Sequence, residues 1–261
     1  MTAPALLSIQ SLTKRFGGVT ALQDVSFAVR PGTIHGLIGP NGSGKTTNFN
    51  VISGMYRPDG GKIIFDGVTI SGMPAHRITR SGIARTFQNL RLFKTMSVLE
   101  NVLVGLGGSP RGRDTIFPWD PYLRPWRAHA AEAHMRTEAM ALLDRFQLAD
   151  LADVPATSLP YGKQRRVEIA RALATQPRLL LLDEPAAGLN AEETRELEET
   201  FIRLVAERLT ILMIEHDMRL VMGVCQWVTV LDQGKVIADG TPEVVRSNEH
   251  VLAAYLGRED D

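Results

Sequence analysis

The chain has 261 residues, 44% hydrophobic and 22% charged, with 29 basic and 29 acidic side chains in balance. That length permits one large domain or two small ones, and zero net charge argues against non-specific nucleic-acid binding, which needs a basic surface. One cysteine, Cys225 in an apolar stretch, rules out an internal disulfide and reads as a small buried residue, and no run reaches the ~18 apolar residues of a membrane span.

The start, Met1-Thr2-Ala3-Pro4-Ala5, lacks the basic and apolar regions of a signal peptide, so a cytoplasmic protein is expected, with any membrane link made through a partner. Leu7-Ser8-Ile9 and Val25 to Val29 alternate apolar and polar residues as half-buried strands do, and Pro31-Gly32 is a turn. Ile34 to Ile38 reads as a short buried strand running into Gly39-Pro40-Asn41-Gly42-Ser43-Gly44-Lys45-Thr46. This octapeptide fits the phosphate-binding pattern G-x-x-x-x-G-K-[ST] without mismatch. Its glycines let backbone N–H groups close around phosphate oxygens. Lys45 suits the β- and γ-phosphates, and Thr46, followed by Thr47, suits Mg²⁺. A helix from Thr46 to Ser53 would aim its positive end at the same anion.

Arg57 to Gly61 is a turn leading into a strand, Lys62 to Phe65. Between 98 and 150 the character changes, and Ala128 to Phe146 carries apolar residues at helical spacing. Ile116 to Trp126 holds two of the three tryptophans, and its three prolines argue against an ordinary helix. Further on, Leu179 to Leu182 is a buried strand that delivers Asp183 and Glu184 at its C-terminal end, where open α/β sheets bind ligands. Asp183 suits the Mg²⁺ shell, and Glu184 is placed to polarise an attacking water. Helices Glu192–Glu207 and Asp217–Val224 alternate with strands Thr210–Ile214 and Val228–Leu231, which predicts a parallel sheet with crossover helices.

The two nucleotide motifs together resemble those of ATP-binding cassette (ABC) ATPases, over nearly the whole chain. The resemblance implies an α/β P-loop NTPase with a parallel core sheet, an N-terminal antiparallel β-subdomain and an inserted α-helical subdomain. It implies one cassette over 1–261, with 5–97 and 177–261 as nucleotide-binding core and 98–176 as helical part, the latter carrying the Pro/Trp-rich insert 107–127. Matched position by position, it assigns Gln88 to sensing Mg²⁺ on the side of a membrane partner and His216 to the γ-phosphate. Phe16 falls where the family stacks an aromatic on adenine, though it could also be plain core. The family's signature, L-S-G-G-Q before a helix, reads here Leu159-Pro160-Tyr161-Gly162-Lys163. Leu159 and Gly162 match. The serine hydroxyl is lost to Pro160, and Lys163 either adds positive charge toward the phosphates or points to solvent. Asn190 replaces the usual aspartate in Ala187-Gly188-Leu189-Asn190. These losses leave a binding-only cassette as an alternative to an active enzyme.

The departures form a set, with Thr20-Ala21-Leu22 and the tail Ala254-Tyr255-Leu256-Gly257, that looks like an ATPase subunit of bacterial branched-chain (hydrophobic) amino-acid importers. The lipopolysaccharide-extracting sister group keeps the S-G-G form, which this chain lacks. The resemblance implies ATP and Mg²⁺ as cofactors and transmembrane permease subunits as partners. It further implies a second ATPase chain, identical or different, and indirectly a periplasmic solute-binding protein, at the cytoplasmic face of the inner membrane. Related urea and amide importers, and ABC ATPases outside transport, are the alternatives. The 107–127 insert is either a docking surface for the permease or a loop packed on its own helices.

Overall fold

The computed structural model describes residues 4–109 and 125–256. Its strands, in chain order, are β1 (Leu7–Phe16), β2 (Val19–Val29), β3 (Ile34–Ile38), β4 (Gly60–Phe65), β5 (Val68–Thr69), β6 (Ile83–Arg85), β7 (Leu179–Asp183), β8 (Thr210–Ile214), β9 (Trp227–Asp232) and β10 (Lys235–Gly240). The helices are α1 (Lys45–Ile52), α2 (Ala75–Ser81), α3 (Val98–Gly107), α4 (Pro125–Arg145), α5 (Tyr161–Ala174), α6 (Ala191–Ala206), α7 (Met218–Val224), α8 (Pro242–Arg246) and α9 (Glu249–Leu256).

Two sheets result. One is antiparallel, in the order β2-β1-β4-β5; the other runs β10-β9-β3-β8-β7-β6. In the second, β9 to β6 are parallel and β10 is an antiparallel edge. The chain therefore has the expected α/β architecture of a parallel core sheet, an N-terminal antiparallel sheet and a helical portion between Val98 and Ala174. The short strands read at Leu7–Ile9 and Val25–Val29 are parts of far longer ones. β1 pairs with both β2 and β4, so the polar stretch from Gln10 to Phe16 also finds ladder partners. The prolines that argued against a helix end where α4 begins, because Pro125 sits in its first turn, where no intrahelical N–H is needed. Most of the aromatic segment, residues 116–124, lies outside the described residues.

The strands β3, β7 and β8 are buried at every residue, as parallel strands covered on both faces must be. Successive residues alternate between two cores. Leu180, Leu182, Ile211 and Met213 face the side packed by α3, α5 and α6, whereas Leu179, Leu181, Leu212 and Ile214 face the antiparallel sheet and α1. His35 is the polar exception in β3. It is fully buried, and burial holds its pKa down at about 3, with Arg30 adding to the effect. Cys225 is buried as expected, its thiol pushed up to about 12 by desolvation. Among the described residues no helix is long and apolar enough to cross a membrane.

Register fixes the site. Leu37 of β3 and Asp183 of β7 both lie opposite Ile214 of β8, and Arg85 of β6 lies opposite Leu181. The segments beginning at Gly39, Glu184, Glu215 and Thr86 thus leave one sheet edge side by side.

Candidate nucleotide site

The loop Gly39–Thr46 leaves β3 and feeds α1, whose N-cap, Gly44, makes no side-chain cap. First-turn N–H groups of α1 are thereby left facing the loop. Gly39, Gly42 and Gly44 all have positive φ, at 148°, 78° and 104°. A Cβ on Gly39 would strike the carbonyl of Leu231, and one on Gly44 would lie 2.7 Å from that of Ala21. At Gly42 a Cβ would meet nothing within 4 Å, so the loop is open to solvent there. Lys45 is buried and donates from Nζ to the carbonyls of Gly39 (2.7 Å) and Pro40 (2.9 Å). Burial lowers its pKa, opposed by the charges of Glu184 and Asp183. Thr46, Asn41 and Gly42 are exposed beside it, Ser43 is buried, and Thr47 is half-buried. An uncapped helix start, a glycine loop open to solvent and a lysine beside it fit a polyphosphate.

Opposite the loop, Glu184 is gripped from two sides. Gln88 donates from Nε2 to Oε2 at 3.0 Å, and Nε2 of His216 donates to Oε1 at 2.8 Å. Two residues remote in sequence thus meet on one carboxylate. Asp183 is buried, and burial raises its pKa against the pull of Arg85. Arg85 donates to its Oδ2 at 3.0 Å and holds Asn50 and Ser53 of the α1 end with its other nitrogen. Among the described residues no cluster of three His, Cys, Asp or Glu could hold a metal alone. A hard cation here would rely on Asp183, Thr46 and Gln88 together with phosphate oxygens, as Mg²⁺ sites commonly do.

Arg85, Arg165, Glu168 and Glu215 also belong to this site, although the motifs did not mark them. Glu215 is buried; it accepts from the N–H groups of Ala186 (2.8 Å) and His216 (2.9 Å), so it fixes the turns that carry Glu184 and His216. Burial raises its pKa, and these N–H groups oppose the rise. Arg165, on α5, donates to the carbonyls of Asp183 (2.7 Å), Glu184 (2.6 Å) and Phe87. The available signal was a charged pair, Arg165 and Glu168, three residues apart on the buried stripe of α5.

The signature turn makes its contacts elsewhere. Leu159 is buried; Gly162 is the second residue of α5, where a Cβ would strike the carboxylate of Glu193, and Lys163 is exposed. The ring of Tyr161 lies 3.1 Å from where a Cβ on Gly188 would be, so the tyrosine and that glycine pack on each other. Asn190 caps α6, accepting from the N–H groups of Glu192 (3.0 Å) and Glu193 (2.9 Å), a local role that an amide fills as well as a carboxylate. Phe16 is 41% exposed and is no core residue; Tyr56 packs edge-on to it, with ring centres 5.2 Å apart.

Comparison with known proteins identifies the family. A family model described as ABC transporter matches residues 22–187, and one described as branched-chain amino acid ATP-binding cassette transporter matches residues 235–261. The chain is 45% identical over 253 residues to the high-affinity branched-chain amino acid transport ATP-binding protein BraF of Pseudomonas aeruginosa, covering 97% of this chain and 98% of that one. It is equally similar, with the same coverage, to LivG of Escherichia coli, which carries the same description. Among solved structures, an ATP-binding cassette of an ABC transporter in its ADP conformation superposes with a TM-score of 0.83 at 32% identity, covering 98% of this chain and all of that one. The chain belongs to the ATP-binding subunits of ABC transporters, the ATPases that power transport, and is homologous to those of branched-chain amino-acid systems.

Proposed function

We propose that this chain powers uptake of branched-chain or hydrophobic amino acids across a bacterial inner membrane, bound to permease subunits at the cytoplasmic face. The end-to-end similarity to BraF and LivG and the match over residues 235–261 support the solute class. The observation that carries the hydrolytic reading is the meeting of Gln88 and His216 on Glu184, across from a phosphate-binding loop. It also favours an active enzyme over a binding-only cassette.

The roles follow from placement. Loop residues 39–47, with the amides of Gly42 and Gly44 and the ammonium of Lys45, hold the phosphates. Phe16 takes the adenine on its exposed face. Thr46, Gln88 and Asp183 would hold Mg²⁺, which would neutralise charge on the phosphates when bound. Glu184 accepts a proton from water as the water oxygen attacks the γ-phosphorus and the bond to ADP breaks. His216 steadies the terminal phosphate. Leu159, Gly162 and Lys163 lie on the signature turn and complete the site of a second ATPase chain. Residues 5–97 and 177–261 act as the nucleotide-binding core and 98–176 as the helical part. A groove of about 390 Å³ beside the Gln88 segment, lined by Met55, Phe87, Arg91 and Phe93, suits a permease segment. A periplasmic solute-binding protein would deliver the solute.

Uptake of labelled leucine, with urea as control, tests this in cells whose only copy is this chain or its Glu184→Gln form. Loss of leucine uptake in the variant alone is expected. Loss of urea uptake instead would assign the chain to the urea importers.

A further inference from the structure

We propose that Arg165 is a positioning residue for ATP hydrolysis: a single buried guanidinium fixes the backbone that carries both Glu184 and Gln88. The proposal rests on the role given above to Glu184.

Arg165 is 1% exposed. Its Nη2 donates to the carbonyls of Asp183 and Glu184, its Nη1 to that of Phe87 and to Oε2 of Glu168 (2.9 Å), and its Nε reaches the carbonyl of Pro185 (3.5 Å). A guanidinium is a rigid planar fork, so these carbonyls are held at a set separation. Glu184 needs such a hold. Its φ is 48°, a left-handed conformation that residues other than glycine rarely adopt. Backbone of this kind persists only where its surroundings over-determine it. Here the strand pairing on one side and Arg165 on the other do so, and the turn aims the carboxylate at His216 and Gln88.

The same helix grips the Gln88 segment from its far end. Glu168 accepts from the N–H of Arg91 at 3.3 Å, and Arg171 donates to the carbonyl of Arg91. Arg165, Glu168 and Arg171 follow one another at three-residue steps along α5, which begins at the signature turn. A rotation of α5 therefore carries the backbone on both sides of Gln88 and tilts the carbonyls behind Glu184. This links the turn expected to face a second chain to the carboxylate that polarises water.

A purely structural part, as the counter-ion of Glu168, predicts different behaviour. Arg165→Lys keeps the charge but loses the fork. In the full chain, kcat for Mg·ATP should fall on the order of 10- to 100-fold, with KM and the affinity for a fluorescent ATP analogue within about three-fold of wild type. Amide exchange should quicken over residues 86–91 and stay unchanged in α1. A kcat within about two-fold of wild type would overturn the proposal. If that variant does not fold, Arg165→Met/Glu168→Gln removes both charges together, a change buried pairs often tolerate, and leaves an amide oxygen to accept from the N–H of Arg91. Cooperative unfolding and ATP binding without recovered kcat would support the positioning role; recovery of kcat would overturn it. Glu184→Gln is measured alongside. Normal turnover there would overturn the role of Glu184 and the proposal with it, whereas loss there and normal turnover in the Arg165 variants would overturn the proposal alone.

Discussion

Nε2 of His216 donates to Oε1 of Glu184 across 2.8 Å, joining the ends of two adjacent parallel strands, β8 and β7. A carboxylate oxygen accepts here, so this bond fixes the two groups on each other without satisfying the second oxygen, which Gln88 takes.

Removing the imidazole should therefore cost chemistry and spare binding. For His216→Ala, kcat should drop on the order of 10²-fold, as for loss of a single preorganised donor, with ATP affinity nearly unchanged. Steady-state hydrolysis beside equilibrium binding checks the split.

Gly39 and Gly42 should respond differently to alanine. At Gly39 the methyl strikes the carbonyl of Leu231, so Gly39→Ala should lower the unfolding temperature and nucleotide affinity together. At Gly42 the space is open, and only the left-handed backbone resists, at about 1–2 kcal/mol. Gly42→Ala should stay folded yet bind ATP more weakly, because its methyl enters the open space where the loop amides would meet phosphate. Thermal unfolding and ATP titration of the two variants test the contrast.

Arg85 and Asp183 form a buried pair with 7% and 4% of their side chains exposed. Arg85→Met strands the carboxylate, and loss of one buried partner typically costs about 3–5 kcal/mol. Mg·ATP should recover more unfolding temperature in this variant than in wild type, since a bound cation supplies the missing charge. Unfolding scans with and without Mg·ATP would show it.

Acid should weaken the fold through His35. Its folded pKa, about 3, lies below the ordinary 6.5, so the unfolded chain binds the extra proton between those values. Stability from this group is full above pH 6.5 and is lost as pH falls. Between pH 7.5 and 5.5 the loss is ~1.4 kcal/mol. Asp183 and Glu215, whose pKa values are raised, push the opposite way at lower pH, so the comparison is with His35→Gln, which should lack the ~1.4 kcal/mol component in denaturant unfolding.

What was legible in the sequence was what is local. The phosphate loop and the strand ending in Asp183-Glu184 are contiguous segments whose residue types state their chemistry. Gln88 and His216 carry no such pattern and were reached through family resemblance alone. Arg85 and Arg165 were missed because their partners, Asp183 for one and the carbonyls of Phe87 and Glu184 for the other, come from distant segments that only the sheet order brings together. The lengths of β1 and β2 were hidden for a related reason: the polar residues after Ile9 gain strand structure from pairing on both sides of β1, not from their own alternation.

The most direct measurement is single-turnover hydrolysis of Mg·ATP by the Glu184→Gln chain beside wild type. With Glu184 as the group that polarises water, the variant should bind ATP within about three-fold of wild type and hydrolyse it slower on the order of 10²-fold or more. Hydrolysis within about two-fold of wild type would contradict the assignment of Glu184 as the centre on which Gln88 and His216 converge.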